Sequence, residues 1–598
     1  MFYLRLWLPF FGIFIPVRLS ARRAGGAWLL TVLLVVTVGA AEAASEDDGS
    51  AGASSGAAAV APGVKKALFI GEYRVKGAHA LTPLEIETAV YPFLGPERTE
   101  EDVKAACAAL EKAYRDKGYS AASVQYAGQV GKGGVIYLQV SEGTVAKLRV
   151  KGSRYFSPSK IKAAAPSVAE GKALNFNEVN RDMIALNQLP DRSVTPSLKP
   201  GTEPGTYDVD LEVKDTAPVH GSVEVNNRAS PNTKPLRVNI SASDSNLWQA
   251  GHAVGASLQL APQRRQDSEV LTGYYLARFS GLEHTSFMLQ GTKQDSNIST
   301  LGGTTVAGPG RTFEARTTIT LPKGKNWSTG QDWGDFYHSF SFAIDYKHYK
   351  QTVTSPGSTD SSGTGKIVTP ITYYPFTVDY TATAMNLTGK GSATDFNAGV
   401  TFNLRGLGSG PSEFNLNRYN ADGSFIILRG ELSHTQELPV GLQLFGKIQA
   451  QLSNQPLVSS EEFSGGGQST VRGYLEAEAV GDNGAFATIE LRSPSLFSLW
   501  KRQDAPKVPA DKSDAKPVET NKIGEWRIYV FGDAGGLTLY DPLSGQQSRY
   551  ALSSVGAGTS LSLWDHFSGT LDAGYPLNSQ SHTQAHDLHL TFRASLNY

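Results

Sequence analysis

The sequence has very little cysteine and methionine and no excess of either charge. Its single cysteine, Cys107, excludes an intramolecular disulfide, and we predict that this thiol packs as a small apolar side chain in a helix core. The 55 basic and 56 acidic residues nearly cancel, which argues against a nucleic-acid partner, because such partners usually require a basic excess. Glycine, by contrast, is abundant at 62 residues, and together with 10% aromatic residues it favours β structure with many turns.

Patterns that would support catalysis or a metal site are also missing. The 11 histidines are scattered and form no H-E-x-x-H pair, and the glycine run "GGGQST" lacks the lysine of a phosphate-binding loop. Glu461 and Glu462, which precede that run, are interpreted as solvated loop charges rather than as acid–base catalysts. We therefore expect no enzyme activity, no cofactor and no metal site.

The N-terminus has the pattern of a secretory signal peptide. Three arginines precede the apolar run "AWLLTVLLVVTVGA", and the small-residue site "AEA" ends at position 43. The run is shorter than the roughly 20 residues that a membrane-spanning helix needs, and no later segment is apolar enough to span as a helix. We predict a signal peptide over 1–43, with its start codon and cleavage site left open, and a disordered low-complexity linker over 44–66.

An internal repeat follows the linker. The stretch "RVKGAHALTPLEI" from Arg74 and the stretch "RVKGSRYFSPSKI" from Arg149 align at an offset of 75 residues. In both copies a strand and a turn lead into a helix, with threonine or serine at the N-cap and proline at the first helical position. We predict two small β-α-α-β-β domains over 67–144 and 145–216. Their exposed sheet edges could each accept an extended peptide, unless the domains serve only as spacers.

From about residue 217 the sequence alternates as strands do. In the last strand one face is apolar, formed by Leu588, Leu590, Phe592, Ala594, Leu596 and Tyr598. A soluble β-sandwich alternates too, so alternation alone does not decide the fold. The signal peptide, the C-terminal aromatic residue and 379 residues (220–598) without a helix-period segment favour a membrane barrel. At about 24 residues per strand and connection, region 217–598 would form about 16 antiparallel strands.

Several of these segments carry a family resemblance. "YPFLGPERTEEDVKAACAALEKAYRDKGY" and "VKGSRYFSPSKI" resemble the two polypeptide-transport-associated (POTRA) domains of two-partner secretion transporters, and "HGSVEVNNR" resembles the start of their barrel. "STVRGYLEAEAVGDNGAFATIELRSP" and "VFGDAGG" resemble the two most diagnostic motifs of this family, called TpsB or hemolysin secretion/activation proteins. The resemblance extends from about residue 67 to Tyr598. It implies an outer-membrane β-barrel with its POTRA domains in the periplasm.

The resemblance also implies that the sixth extracellular loop folds into the barrel lumen. Four matched residues lie on this loop: Val471, Arg472, Gly473 and Tyr474. Three lie on the inner wall in an F-x-D-x-G motif: Phe531, Asp533 and Gly535. The loop arginine would pair with the wall aspartate.

The chemistry of these residues supports such a pair without the resemblance. Asp533 lies in the predicted strand "WRIYVFGDAGG", in which Ile528, Val530 and the aromatic neighbours would face lipid or the wall. A carboxylate in that strand avoids lipid by pointing inward, and partial desolvation there requires a partner. The planar fork of arginine suits a carboxylate, and lysine would not replace it. The alternative is that Arg472 is a solvated charge on an exposed loop.

Three further segments carry predictions. The connection after the arginine loop would be periplasmic and contains a charged, proline-rich insertion, "KRQDAPKVPADKSDAKPVETNK", while Ser355–Lys366 is interpreted as a surface loop. Phe592, Leu596 and Tyr598 are predicted to form a signal for the barrel-assembly machinery during biogenesis. Many family members begin with a plug helix, but residues 44–66 show no amphipathic pattern, so this helix is absent or very short.

The resemblance implies protein secretion. We expect the chain to move one large unfolded exoprotein, hemolysin- or adhesin-like, from the periplasm to the cell surface without nucleotide hydrolysis. Its POTRA domains would bind the partner, and outer-membrane lipid would surround the barrel. The alternative is a factor that inserts other barrels into the outer membrane. A passive porin is disfavoured, because porins lack tandem periplasmic domains.

Overall fold

The computed structural model describes a short N-terminal hairpin and most of the chain from residue 68 onward. The described ranges are 21–24, 27–30, 68–279, 281–282, 284–295, 298–301, 304–307, 309–322, 336–354, 366–387, 391–498 and 524–598. The chain divides into two compact units, Met1–Lys66 and Ala67–Tyr598, and in the first unit β1 (Ala21–Ala24) pairs with β2 (Ala27–Leu30). The rest of the predicted signal peptide, the predicted linker, most of loop 355–366 and the insertion 501–522 lie outside the described residues.

The second unit begins with a small α+β domain. Its elements are β3 (Leu68–Ile70), β4 (Glu72–Lys76), α1 (Pro83–Val90), a 3-10 turn (Tyr91–Phe93), β5 (Gly95–Arg98), α2 (Glu100–Asp116), β6 (Ser123–Gly131) and β7 (Val135–Ser141). One sheet has the order β4-β7-β6, and β3 pairs with β5. Helix α2 begins after a capping box in which the Asp102 carboxylate accepts the N–H of Thr99 at 2.7 Å. Cys107 lies in the apolar core between α2 and the sheet, which confirms the prediction made for this thiol.

The second domain repeats this plan. Its elements are β8 (Thr144–Lys151), α3 (Pro158–Ala163), a 3-10 turn (Pro166–Val168), α4 (Phe176–Leu186), β9 (Arg192–Pro200) and β10 (Thr206–Asp215), with the sheet order β8-β10-β9. The repeat extends to a carboxylate at the end of each domain, which accepts N–H groups from the turn after the first repeated strand. Glu142 accepts the N–H of Ala80 at 2.7 Å, and Asp215 accepts the N–H of Tyr155, 75 positions further along, at 2.9 Å.

Asp215 should stabilise the second domain in a pH-dependent way. Partial burial raises the pKa of Asp215, but the N–H groups of Tyr155, Arg154 and Phe156 outweigh burial, so this pKa lies below its usual value. A carboxyl group with a lowered pKa stabilises the folded state above its ordinary pKa, and this stabilisation is lost as the pH falls through the folded-state pKa. We expect Asp215→Asn to lower the free energy of unfolding by about 2 kcal/mol at neutral pH and by less in acid.

Protease sensitivity of this domain in urea, measured at pH 7 and in acid on the detergent-solubilised chain, checks the Asp215 prediction. Glu212→Gln, at an exposed position of the same strand, is the matched control. Equal sensitivity of Asp215→Asn and the wild-type chain at neutral pH would contradict the prediction.

The remainder of the unit is a closed antiparallel barrel. The wall consists of β11 (Val219–Asn226), β12 (Arg237–Leu247), β13 (His252–Leu260), β14 (Glu269–Arg278), β15 (Thr285–Gln294), β18 (Gly310–Thr320), β19 (Phe336–Thr354), β20 (Lys366–Tyr373), β21 (Phe376–Met385), β22 (Ser392–Phe402), β23 (Ile426–Glu437), β24 (Gln443–Ser453), β27 (Asn483–Arg492), β28 (Gly524–Thr538), β29 (Arg549–Leu563), β30 (Phe567–Pro576) and β31 (His589–Asn597). Its connections contain the 3-10 turns Arg265–Asp267 and Pro439–Gly441, β16 (Ile298–Leu301), β17 (Thr304–Ala307), α5 (Pro411–Asn417), β25 (Phe463–Gly465) and β26 (Ala479–Gly481).

The wall has sixteen strand positions, although it contains one more strand segment than that. Strand β19 is long: its second half, Lys347–Thr354, pairs with β20, and its first half, Phe336–Ile344, pairs with β21. Segments β20 and β21 therefore occupy one position, and the barrel closes where β31 pairs with β11. The predicted barrel of about 16 strands is confirmed. Among the described residues, no helix combines the length and the apolar character that crossing a bilayer requires.

Side chains alternate between the outside of the barrel and the lumen. Large apolar side chains project outward from strands around the wall, including Val223, Ile240, Val254, Leu271, Leu289, Phe313, Phe342, Val400, Leu432, Ile448, Ile489, Val530, Val555 and Leu571. An apolar belt of this kind suits the hydrocarbon layer of a membrane. On the last strand, Leu590 and Leu596 are exposed on the outer face, while Arg593 donates to Glu224 of β11 from the other face at 2.6 Å.

Strand order fixes the side of each connection. Because β11 follows directly from β10 of the soluble domains, the connections alternate between that inner side and an outer side. We number the outer connections along the chain. Five are used below: outer loop one (227–236), outer loop five (403–425), outer loop six (454–482), outer loop seven (539–548) and outer loop eight (577–588). Strand β27, which follows outer loop six, ends on the inner side, and the proline-rich insertion beyond it lies outside the described residues.

Specific contacts join the two soluble domains to each other and to the barrel. After α2, the carbonyl of Gly118 accepts the N–H of Phe176, the first residue of α4, at 2.8 Å. On the turn between β12 and β13, the side chain of Gln249 accepts the N–H of Ser157 and donates to the carbonyl of Tyr155, both at 2.9 Å. These contacts hold the second domain at the inner rim of the barrel.

Candidate functional site in the barrel lumen

Outer loop six turns back into the barrel. Its ends pair as the short hairpin β25–β26, and Gly465 in β25 lies so close to the wall that a Cβ there would be 2.5 Å from the ring of Phe486. Gly466 and Gly467 have φ angles of +105° and +87°, which other residues rarely adopt. The triple glycine therefore allows both the close approach and the turn that direct the loop inward.

Arg472 of outer loop six meets Asp533 of β28. Nε and Nη2 of the guanidinium donate to the two carboxylate oxygens of Asp533 at 2.8 Å each, and the backbone N–H of Arg472 donates to Oδ2 at 3.0 Å. The two residues are 6% and 3% exposed. The structure thus brings these predicted site residues together as a buried, bidentate ion pair, a geometry that the single ammonium of lysine does not provide.

Three more side chains surround the guanidinium. The ring of Phe531, from the predicted wall motif, lies with its centroid 3.6 Å from Cζ of Arg472. Nη1 donates to Glu490 of β27 at 2.6 Å, and Oδ1 of Asp572 on β30 lies 4.0 Å from the same nitrogen. Sequence reasoning missed Glu490 and Asp572, because neither lies in a local motif with Arg472 and only the strand register brings them together.

The inner face of β28 is aromatic as well as acidic. Ile528 and Val530 project outward as predicted, and Phe531 is buried on the inner face, where the wall motif places it. Tyr529 is buried on the inner face too, so the expectation that this aromatic neighbour faces lipid is wrong. The reason is the two-residue period of a strand, which places both rings on the same face as Asp533. The hydroxyl of Tyr529 donates to Asp572 at 2.8 Å, so the rings also help to order the acidic groups.

The other residues of the VRGY stretch fasten the tip of the loop. Val471 is fully buried in a small apolar cluster, and the hydroxyl of Tyr474 donates to the carbonyl of Asn578 in outer loop eight at 2.7 Å. Gly473 has a φ angle of +89° and lies against Gly574 of β30. A Cβ added to Gly574 would be 2.6 Å from the backbone nitrogen of Gly473. This glycine–glycine contact lets two backbones approach directly, and the sequence carried no signal for Gly574.

Gly535, the last residue of the wall motif, lies where there is no room for a side chain. A Cβ at this position would overlap the ring of Phe486 on β27. That ring packs in turn against Phe463 of β25, with ring centroids 5.4 Å apart. The loop and wall residues singled out from the sequence therefore lie in one contact region, and their role in transport remains a prediction.

Outer loop six is held at further points. Lys447 and Gln449 of β24 both donate to the carbonyl of Ser469 at 2.8 Å. At the end of the loop, the buried carboxylate of Asp482 accepts the N–H of Leu457 at 2.6 Å and that of Tyr540 in outer loop seven at 2.7 Å. The loop is consequently a packed part of the lumen rather than a loose insertion.

Glu461 and Glu462 are not solvated loop charges, so this interpretation is wrong. They are 1% and 8% exposed. Lys347 of β19 donates to Glu461 at 2.6 Å, and the hydroxyl of Tyr373 donates to it at 2.8 Å. Burial follows from outer loop five, in which Phe414 of α5 packs against the ring of Tyr373 with centroids 5.7 Å apart. These partners are distant in sequence, so no local pattern indicates them.

The predicted C-terminal signal lies on the lipid-facing side of the last strand, with Leu596 and Tyr598 near the inner rim and Phe592 near outer loop one. Phe592, Leu596 and Tyr598 are exposed, and the N–H of Tyr598 donates to the carbonyl of Gly221 in β11 at 2.8 Å. Apolar side chains in this position are accessible from the side of the barrel. Recognition of these residues during biogenesis stays a prediction.

The lumen site consists of ion pairs and hydrogen bonds that hold outer loop six against the wall. Over the part of the chain that the structure describes, no cluster of three or more His, Cys, Asp and Glu side chains could hold a metal ion. The acidic groups are engaged by loop residues: the side chain of Gln468, for example, donates to Asp572 at 2.8 Å. A desolvated ion pair is strong while it is assembled, and entry of water or of competing polar groups weakens it.

Comparison with known proteins identifies related sequences. Residues 68–143 match the POTRA domain family of ShlB type, and residues 377–560 match the family of the haemolysin secretion/activation protein ShlB/FhaC/HecB. The outer membrane transporter CdiB of Escherichia coli O6:K15:H31 (strain 536 / UPEC) is 30% identical over 166 residues, and that of Dickeya dadantii (strain 3937) is 27% identical over 135 residues. These alignments span 28% and 23% of this chain and only 28% and 24% of the relatives.

Solved structures extend the similarity to nearly the whole chain. CdiB from Escherichia coli has a TM-score of 0.60 at 19% identity, covering 91% of this chain and 93% of its own. CdiB from Acinetobacter baumannii has a TM-score of 0.53 at 14% identity, covering 89% and 90%. BamA from Haemophilus ducreyi lacking POTRA domains 1–3 has a TM-score of 0.50 at 14% identity, covering 89% and 100%. At these identities the likeness concerns the fold alone.

Proposed function

We propose a secretion function because this chain belongs to the haemolysin secretion/activation protein family, the TpsB outer-membrane transporters with POTRA domains in the periplasm. It moves one unfolded exoprotein, haemolysin- or adhesin-like, from the periplasm to the cell surface. No nucleotide is used. Folding of the exoprotein outside the cell prevents its return and gives the transport its direction.

The observation that carries this proposal is the buried pair of Arg472 and Asp533 inside a lumen with polar walls. The pair holds outer loop six across the path that an unfolded chain would take. Removing the loop exposes a channel whose inner face carries carboxylates, arginines and hydroxyls that can contact a passing peptide backbone. The arriving partner displaces the loop, and the loop returns to its partner Asp533 after passage.

The soluble domains bind the partner before it enters the barrel. Strand β6 lies at the edge of the first sheet, and β9 lies at the edge of the second. Pro196 and Pro200 in β9 lack N–H donors, which protects that edge from pairing with another strand. The stretch Ser123–Tyr126 of β6 has no proline, so we place the first strand pairing with the partner there.

A factor that inserts other barrels into the outer membrane is the second candidate. The fold similarity to BamA at a TM-score of 0.50 is the observation that favours it. The family match over residues 377–560 and the ShlB-type soluble domain favour secretion instead. The chain itself enters the membrane through barrel-assembly machinery that reads Phe592, Leu596 and Tyr598.

Deletion of this gene in its host tests the secretion function. Mass spectrometry would compare the proteins outside the cell, in the periplasm and in the outer membrane of deletion and parent strains. We expect one large exoprotein to disappear from the outside while other barrels keep their amounts. Depletion of many barrels from the outer membrane would overturn the proposal and indicate an assembly factor.

A further inference from the structure

Beyond the VRGY stretch, outer loop six carries two buried glutamates. Glu476 and Glu478 are 4% and 9% exposed. The carboxylate of Glu476 accepts hydrogen bonds from Nε of Arg228 at 2.6 Å and from the backbone N–H of Gln468 at 3.1 Å. The backbone N–H of Glu476 donates to the carbonyl of Ala229 at 3.0 Å. Its side chain and backbone thus tie outer loop six to outer loop one.

Glu478 makes the matching contact on the other side. One carboxylate oxygen accepts the backbone N–H of His582 at 2.7 Å and that of Thr583 at 3.1 Å, and the other accepts the hydroxyl of Thr583 at 3.0 Å. His582 and Thr583 belong to outer loop eight. Two neighbouring glutamates of one loop therefore bind two loops that are far apart in the sequence.

Outer loops one and eight flank the strand pair that closes the barrel. Strand β11 leads into outer loop one, and outer loop eight leads into β31. These strands share five residue pairs, whereas every other pair of neighbours in the wall shares at least eight. On the outer side the side chain of Asn227 adds to the strand pairing: its amide donates to the carbonyl of Leu590 and accepts the N–H of Phe592, both at 2.8 Å.

We infer that Glu476 and Glu478 form a clamp that holds outer loop six in the lumen and closes the outer end of the β11–β31 pair at the same time. The loop leaves the lumen only when the Arg472–Asp533 pair and this clamp both release. Removing either glutamate leaves the donors of outer loop one or of outer loop eight without this acceptor, so each one holds the closed state. The consequence for transport rests on the proposed secretion function, but the clamp is testable without any partner.

Conductance of the purified full-length chain in planar bilayers tests the clamp. Glu476→Gln and Glu478→Gln should each raise the open fraction of the channel by about tenfold, because each replaces charge-assisted hydrogen bonds by weaker neutral ones. Glu431→Gln, at an exposed glutamate of β23, is the control and should conduct as the wild-type chain does. Wild-type open fractions in both clamp variants would overturn the inference.

A charge exchange separates pairing from general loss of stability. Arg228→Glu should open the channel as Glu476→Gln does, and the double variant Arg228→Glu/Glu476→Arg should bring the open fraction back to within about threefold of wild type. Failure of the double variant to recover, with the barrel folded by circular dichroism, would overturn the pairing.

Labelling of a loop cysteine keeps the clamp testable if one variant does not fold. In a Cys107→Ala background, Ser469→Cys should react with a charged maleimide about tenfold faster when Glu478→Gln is also present. Equal labelling rates would overturn the clamp. If the clamp variants behave as predicted but deletion of the gene changes the amount of no exoprotein, only the proposed secretion function is overturned.

Discussion

Replacing Arg472 by alanine should strongly reduce secretion of the partner exoprotein while the barrel remains in the outer membrane. The change leaves Asp533 buried without its cation, while Glu490 keeps only Arg492, which donates to it at 2.6 Å. Removing one member of a buried charge pair costs about 3–5 kcal/mol, which corresponds to a shift of about 10² to 4 × 10³ in the equilibrium of loop binding. A loop that no longer occupies its site cannot return after each passage, so we expect secretion to fall by at least about tenfold.

Three variants define what the arginine contributes. Arg472→Lys keeps the charge but loses the two-pronged contact, and it should behave more like alanine than like wild type. Asp533→Ala should impair secretion as Arg472→Ala does, and the double variant should be no worse than either single one if the two residues act as a pair. The amount of exoprotein outside the cell, normalised to barrel protein in the outer membrane, is the measurement. Normal secretion by both single variants would show that the loop contact has no part in transport.

The barrel was predictable because its physical cause is local. Each strand must turn apolar side chains to lipid and polar side chains to the lumen, so alternation is written along every strand, as in the last one from Leu590 to Leu596. The number of strands follows from length alone. Burial of Cys107 was predictable for the same reason, since one face of α2 is apolar at a helical period.

The site was predictable only where one short motif carries it. Arg472 and Asp533 stand out because an arginine on a glycine-rich loop and a carboxylate in an apolar strand each need an explanation. Glu490 and Asp572 do not stand out, since they reach Arg472 through the register of β27 and β30. Glu461 was misjudged for the same reason: its lysine and its tyrosine come from strands more than 80 residues away in sequence.

Gly574→Ala should displace outer loop six without changing any charge in the lumen. A Cβ at this position would lie 2.6 Å from the nitrogen of Gly473 and 2.7 Å from its Cα. Both neighbours are backbone atoms of Gly473, so the clash cannot be relieved by rotation of a side chain. The loop tip must move outward, and the adjacent Arg472 then loses its contact with Asp533. We expect secretion to fall by at least about tenfold, as for Arg472→Ala, because the same contact is broken.

The glycine variant tests the docked loop independently of electrostatics. Gly532→Ala on β28 is the matched control, because the nearest atom to its new Cβ would be a side-chain carbon of Ile489 at 3.8 Å, an ordinary contact distance. Gly574→Ala and Arg472→Ala should agree in their loss of secretion, and Gly532→Ala should behave as wild type. If Gly574→Ala secretes normally while Arg472→Ala does not, then Arg472 acts in transport from a loop position other than the docked one. An equal loss of secretion in the two variants would show that transport depends on the Arg472–Asp533 contact. Arg472→Ala removes the charge, whereas Gly574→Ala removes only the space that the loop tip occupies.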